Sequence, residues 1–253
     1  MRLRRSLERA LSAALLILAS GCRAEEAAPA PVPEHHPALG LMGTIPLYWG
    51  EEAAFGDALS GNATHHWARA QLETRYALHP LDTLSADSLA GLDFLLLAQP
   101  RALSGPENVA LDAWVRAGGR LLLFADPLLT GESRFAIGDR RRPQGAILLS
   151  PILGHWGLQL EFDDSRSEGV ALVGGKARIP VNLPGRFVAA GDCTVESDGL
   201  LARCTIGSGR VLAVADAALL DLYDAHPAAS AALAWLIDEG FGNGTARERA
   251  PTR

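Results

Sequence analysis

The chain has 253 residues, 48% of them hydrophobic, and a formal charge of −6. That apolar content suffices for the core of one large α/β domain or two small ones. An acidic chain has no electrostatic reason to seek nucleic acid, so nucleic acid is excluded as a partner.

The chain opens with Arg2, Arg4, Arg5 and Arg9, then the apolar run Leu11 to Ser20 (LSAALLILAS), then Ala19-Ser20-Gly21-Cys22. The run is shorter than the ~20 apolar residues of a membrane-spanning helix. A basic head, a short apolar body and a small-residue exit are the anatomy of a secretory leader. With a cysteine directly after the small residues, the segment resembles a bacterial lipoprotein leader. That resemblance implies cleavage before Cys22 and acylation of its thiol, palmitate included. A lipid adds ~0.8 kcal/mol per buried CH₂, and two or more chains hold a protein stably. The expected location is the cell envelope, lipid-anchored and facing the periplasm. Arg23 stands where an inner-membrane retention signal would carry Asp, which leans the expectation towards the outer membrane. Loss of residues 1–21 removes four arginines and one glutamate and moves the charge to −9.

With Cys22 acylated, Cys193 and Cys204 remain as a pair in a disulfide-permissive compartment. The segment CTVESDGLLARC centres a hairpin on Asp198-Gly199. In that hairpin, position 193 falls opposite 204 at a Cα separation of ~5.5 Å, within disulfide range.

Residues 22–38 hold Ala, Pro and Glu with almost no large apolar side chain and read as a flexible tether. His35-His36 within it reads as incidental, and no metal or other cofactor is expected. LMGTIPLYW (41–49) reads as a first strand, residues 62–75 as a helix and ALHPLDTL as an extended piece. FLLLA (94–98) is a continuous apolar run, as a strand covered on both faces requires. Ser104-Gly105-Pro106-Glu107 starts a helix with a capping box. Val109, Leu111, Trp114 and Val115 give that helix its apolar side, with Asp112 and Arg116 facing water. Gly118-Gly119 ends it, and RLLLFA (120–125) is the next buried strand. Strand, helix and strand form a right-handed βαβ unit.

LLSPILGHWG (148–157) reads as a short helix and LQLEF (158–162) as a strand. From Val170 to Asp216 short apolar pieces alternate with Gly, Pro and Asp. They predict β-hairpins, as an antiparallel layer extending the sheet. RVLAVAD ends as RLLLFAD does and returns to the parallel sheet. Ala228 to Ile237 is the closing helix. The expected organisation is therefore a leader over 1–21, a tether over 22–38, one α/β domain over 39–241 and a loose tail over 242–253. The hairpin-rich part of the domain covers 168–210. The fold class is α/β, a mostly parallel open sheet with flanking helices.

Phosphate-loop and zinc-protease motifs are absent from the sequence. Gly207-Ser208-Gly209 lies between strands and reads as a hairpin turn, not a nucleophile turn. His65-His66, beside Trp67 on a helix, reads as surface or half-buried. What remains is a set of polar residues beyond the carboxyl ends of the parallel strands, where open α/β sheets bind ligands. They are Trp49 and Glu51, Gln99 and Arg101, Asp126 and Thr130, and Asp216. The loop GDRRRPQ (138–144) adds Arg140, Arg141 and Arg142, whose guanidinium forks suit an anion or a partner's carboxylates. Asp126-Pro127 also fits a strand-ending Asx turn.

The run from PLDTLSADSLAGLDFLLLAQP through GGRLLLFADP is similar to the extracytoplasmic auxiliary domain of ABC-type transport systems, the gliding-motility type included. The Trp-Gly after the short helix (156–157) and the late GSGRVLAVAD also fit, so the resemblance covers roughly Leu41 to Gly240. It implies a fold like that of class I glutamine amidotransferases, in the flavodoxin-like class. The amidotransferase cysteine has no equivalent after FLLLA, where Gln99-Pro100 stands. The resemblance therefore implies a non-catalytic accessory protein that associates with transporter subunits. Many relatives use transmembrane helices where this chain has its lipoprotein-type leader. Two other readings follow from the residues. One is a small-anion-binding lipoprotein using the arginine loop and Trp49. The other is a hydrolase or transferase whose acids, Glu51, Asp126 and Asp216, converge at the strand-end rim.

Overall fold

FLLLA forms β3 (Phe94–Ala98), every residue of which is buried. Its side chains alternate between two cores. Phe94 and Leu96 point to one face of the sheet, Leu95 and Leu97 to the other. The structure is a computed structural model that describes residues 36–51, 65–221 and 227–242. The expected leader, most of the tether and nearly all of the tail lie outside the described residues, as does the start of the expected 62–75 helix.

On one side β3 pairs with β1 (Ala38–Gly43), which pairs in turn with β2 (Ala77–Pro80). On the other it pairs with β4 (Arg120–Phe124), and β4 pairs with β11 (Gly209–Val214). All four pairings are parallel. Beyond β11 the sheet continues antiparallel through β10 (Leu201–Ile206) and β9 (Thr194–Glu196), in the order β2-β1-β3-β4-β11-β10-β9. The parallel part has flavodoxin-like order, in which the direction of winding reverses between β1 and β3.

Two helices, α1 (Trp67–Glu73) and α5 (Pro227–Phe241), cover one face. The other is covered by α2 (Ala86–Leu89), α3 (Gly105–Arg116) and α4 (Ser150–His155). In α3 the capping box forms as expected, with the Ser104 amide donating to Glu107 Oε2 at 2.8 Å. Arg101 clamps the same carboxylate at 2.6 Å and holds it down to about 2. Leu111 and Val115 are buried, but Val109 is 70% exposed. At ~100° per residue it sits ~200° round from Leu111, which corrects its place on the apolar side. Asp112 is not simply solvated either, because Trp156 Nε1 donates to it at 2.9 Å.

The first strand begins and ends earlier than LMGTIPLYW suggests. After Gly43 the Thr44 amide leaves the ladder for the carbonyls of Ala98 and Gln99, and Pro46 has no N–H to continue it. Ile45 and Leu47 still reach the core from the turns that follow. The hairpin region is also more divided than a single added layer. Only β9 and β10 extend the sheet. β6 (Gly169–Val173) and β7 (Ala177–Val181) form a separate pair that packs Val173, Ile179 and Val181 into the α5-side core. β8 (Arg186–Ala189) pairs with β5 (Leu158–Glu161), on the α3 side through Phe187.

Cys193 and Cys204 are disulfide-bonded, at a Cα separation of 4.3 Å. The β9–β10 register, with Thr194 opposite Arg203, sets 193 against 204, the pairing read from Asp198-Gly199. Both cysteines are buried, and they tie the outermost antiparallel strands to the α4 core. Closing a loop of this size restricts the unfolded chain by about 3 kcal/mol. Reduction should therefore lower unfolding stability by about 2–3 kcal/mol without changing the fold. Denaturant titration with and without reductant, followed by circular dichroism, measures it.

Candidate functional site at the strand-end rim

At the ends of β1 and β3, where this topology offers a binding site, Thr44 and Gln99 are hydrogen-bonded to each other and to the loop that follows β4. Gly43 lies so near β3 that a β-carbon there would stand 2.0 Å from the Ala98 carbonyl oxygen. Gln99, which follows β3 with a left-handed φ of 49°, is fully buried. Its Nε2 donates to the carbonyls of Asp126 and Gln144, both at 2.9 Å, and its Oε1 accepts from the Asp126 amide at 2.8 Å. Thr44 Oγ1 donates to the Gln99 carbonyl at 2.5 Å and accepts from the Gln144 amide at 3.0 Å. The result is a closed ring joining the ends of β1, β3 and β4 to the 126–149 loop. Gln99 occupies a backbone corner like that of a nucleophile elbow. It turns a carboxamide inward where such an elbow presents a reacting group outward.

Asp126 and Asp216 stand at equivalent places, two residues beyond the paired ends Phe124 and Val214 of β4 and β11. Both are almost wholly buried. Each of their four oxygens accepts one backbone amide. Asp126 takes those of Leu128 (2.8 Å) and Ala217 (3.1 Å), and Asp216 those of Ala218 (2.7 Å) and Asn182 (2.9 Å). The first bond of each is the strand-ending Asx turn, and the second ties the neighbouring strand end. Burial pushes the Asp126 carboxyl up to about 6 against the pull of its two amides. Burial, then the charge of Asp126, pushes Asp216 up to about 8. Asp221 follows a 3-10 turn, Ala218–Leu220. Burial, then Glu51 and Asp126, raises it to about 7, with Arg142 opposing. Asp221 also fits against Gly131, where any β-carbon would overlap its carboxylate.

The rim thus gathers Glu51, Asp126, Thr130 and Asp216 from the expected set, and Thr130 Oγ1 accepts from Asn182 Nδ2 at 2.7 Å. Arg101 is drawn away into its pair with Glu107, and Gln99 is spent on the ring. The three loop arginines do not converge. Arg141 pairs with Asp139, Arg142 donates to the carbonyls of Phe135 and Gly131, and Arg140 is exposed. Trp49 is exposed and meets Tyr48 edge-on at 4.8 Å. His66 is more committed than a surface residue. It caps α1 through Nδ1 and donates Nε2–H to the Leu220 carbonyl at 2.8 Å, and burial lowers it to about 4. Asn182, Asp221, Thr44, Gln144 and Arg134 were not singled out by sequence. Thr44 in LMGTIPLYW and Gln144 in GDRRRPQ carry no sequence feature of their own. Asn182 and Asp221 had only their places after a strand or turn. Among the described residues no group of three or more His, Cys, Asp or Glu is arranged to hold a metal.

Residues 51–165, a little under half of the chain, match the model of a family described as ABC-type uncharacterized transport system. No curated protein matches the sequence. Among solved structures, a putative ThuA-like protein from Bacteroides uniformis is 8% identical with a TM-score of 0.46, covering 86% of this chain and 98% of that one. The exo-β-1,4-mannosidase Op5Man5 from Opitutaceae bacterium strain TAV5 is 14% identical with a TM-score of 0.46, covering 81% of this chain and 34% of that one. A β-galactosidase from Rahnella sp. R3 is 13% identical with a TM-score of 0.47, covering 81% and 31%. The chain spans about a third of the length of these two glycosidases. Likenesses of this identity and score carry no argument about chemistry.

Two outcomes follow from the geometry. Gln99→Ala strands the Asp126 amide and the Gln144 carbonyl, while the Asp126 carbonyl keeps the Ile147 amide at 3.1 Å, and should cost about 2 kcal/mol in denaturant unfolding. Releasing Gln144 should also speed tryptic cleavage after Arg140 and Arg141. The second outcome concerns pH. Asp126, Asp221 and Asp216 bind protons more tightly folded than unfolded, so their contribution is full below about pH 4 and fades as pH rises through about 6 to 8. Glu107, lowered to about 2, acts oppositely and loses its contribution as pH falls from about 4.5. Stability should peak near pH 4 and decline towards pH 8. Asp216→Asn should flatten that alkaline decline in denaturant midpoints measured across the range.

Proposed function

On the premise that residues 51–165 carry the auxiliary domain of ABC-type transport systems, we propose that this chain is a non-catalytic accessory protein of such a system. Cys22 carries its lipid, and its α/β domain faces the periplasm, with the outer membrane the favoured attachment. The observation that carries the non-catalytic part is the end of β3, where Gln99 spends its whole side chain on internal hydrogen bonds to Asp126 and Gln144. The two best-placed acids support the same reading, because each of their oxygens is occupied by a backbone amide. The dispersed guanidiniums of Arg141 and Arg142 speak against an anion fork.

The disulfide fits an oxidising compartment. Among the described residues no helix is long and apolar enough to cross a membrane. The chain's −6 charge gives no reason for a nucleic-acid partner.

Mass spectrometry of the natural protein should find an acylated amino-terminal peptide beginning at Cys22, and Cys22→Ser should move the protein out of the membrane fraction. Gentle crosslinking in cells should recover permease or ATPase subunits of one transporter. Recovery of none, from protein shown to be acylated and folded, would overturn the accessory role while leaving the anchor standing.

A further inference from the structure

Eight large apolar side chains are exposed among the described residues, and three of them, Leu128, Ile137 and Leu148, lie on the loop that crosses the rim. Ile137 is 94% exposed at the loop's apex. The apex is built, not slack. The Asp139 amide donates to the Ala136 carbonyl at 3.0 Å, and Gly138 supplies the φ of 88° that the turn requires. Below it, the guanidinium of Arg141 stacks on the Phe135 ring at 4.2 Å, with that of Arg134 at 5.7 Å. Arg142 crosses the neck to the carbonyls of Phe135 and Gly131.

Segment 131–143 carries four arginines against Glu132 and Asp139, a local excess of positive charge on a chain of net −6. A second apolar group stands beside the neck. Glu51 accepts from the Arg134 amide at 3.0 Å, and Trp49, two residues before it, is 56% exposed. A β-branched apolar apex, guanidiniums at its base and a neighbouring indole match the chemistry of a bilayer interface. There the apex meets acyl chains, arginine meets lipid phosphate, and tryptophan sits at headgroup level.

We propose that the 131–143 tip is a membrane-contact element that seats Ile137 in the interface of an anionic bilayer. The inference rests on the envelope location proposed above but does not need the acyl anchor. In contact, the carboxyl end of the parallel strands faces the lipid, and the exposed Arg140 meets lipid phosphate, while Arg134, Arg141 and Arg142 brace the tip from within.

The test uses the full chain mixed with vesicles of phosphatidylcholine alone, or with phosphatidylglycerol that includes a photoactivatable analogue. After illumination, lipid adducts are mapped by peptide mass spectrometry. Adducts are expected on the peptides covering residues 131–143. They should fall about fivefold or more with Ile137→Asp, with Arg140→Glu, at high salt, or without anionic lipid. Both substituted positions are exposed, so the variants keep the fold, which circular dichroism checks. Adducts before residue 38 report the anchor or leader separately. The proposal is overturned if peptides 131–143 carry no adducts, or if their adducts are indifferent to charge and to Ile137.

Discussion

One buried carboxamide governs the rim. In a parallel open sheet the strand ends diverge on either side of the reversal in winding, and a loop of some twenty residues must find its place above them. Here Gln99 supplies both a donor pair and an acceptor at that point, and Thr44 and Gln144 complete the circuit. Without it, the Asp126 amide and the Gln144 carbonyl would lose their hydrogen-bond partner, a cost that the ring avoids. The crevice that related topologies keep open for a ligand is used in this molecule to fix a loop.

The same economy extends along the rim. Asp126 and Asp216 look like catalytic acids when read from the sequence, since each follows a buried parallel strand. In the fold their oxygens take up the amides left over where β4, β7 and β11 run out. Their raised affinity for protons, shared by Asp221, is first the cost of burying carboxyls under a loop, and for Asp216 and Asp221 also of lying near other acids. At the far edge a covalent bond does comparable work, holding β9 to β10 where no further strand can cover them.

The legible parts of the chain were those in which local pattern and tertiary role agree. FLLLA, the capping box and RLLLFA signal their states within a few residues each, and the disulfide register followed from one turn dipeptide. The end of the first strand is masked in the sequence because Ile45 and Leu47 are apolar for the core without lying on the ladder. Val109 is apolar yet exposed, because its angle on the helix, and not its type, decides its face. The rim was half legible. Strand-end positions pointed to Asp126 and Asp216, but Gln144, Asn182 and Asp221 reach them across long stretches of chain from segments without periodicity. No local rule distinguishes an arginine that points at a carbonyl, as Arg142 does, from one that points at solvent.

The pairing of Arg120 with Arg210 has a kinetic consequence. β11 is added to the sheet late in the chain, yet it lies between β4 and the antiparallel edge. Until it arrives, the flank of RLLLF stays unpaired, and such an apolar flank is a template for aggregation. Closing so long a loop slows assembly more than it weakens the finished molecule. A chain of this design that emerges amino terminus first leaves β4 uncovered on that side until Val214 has emerged.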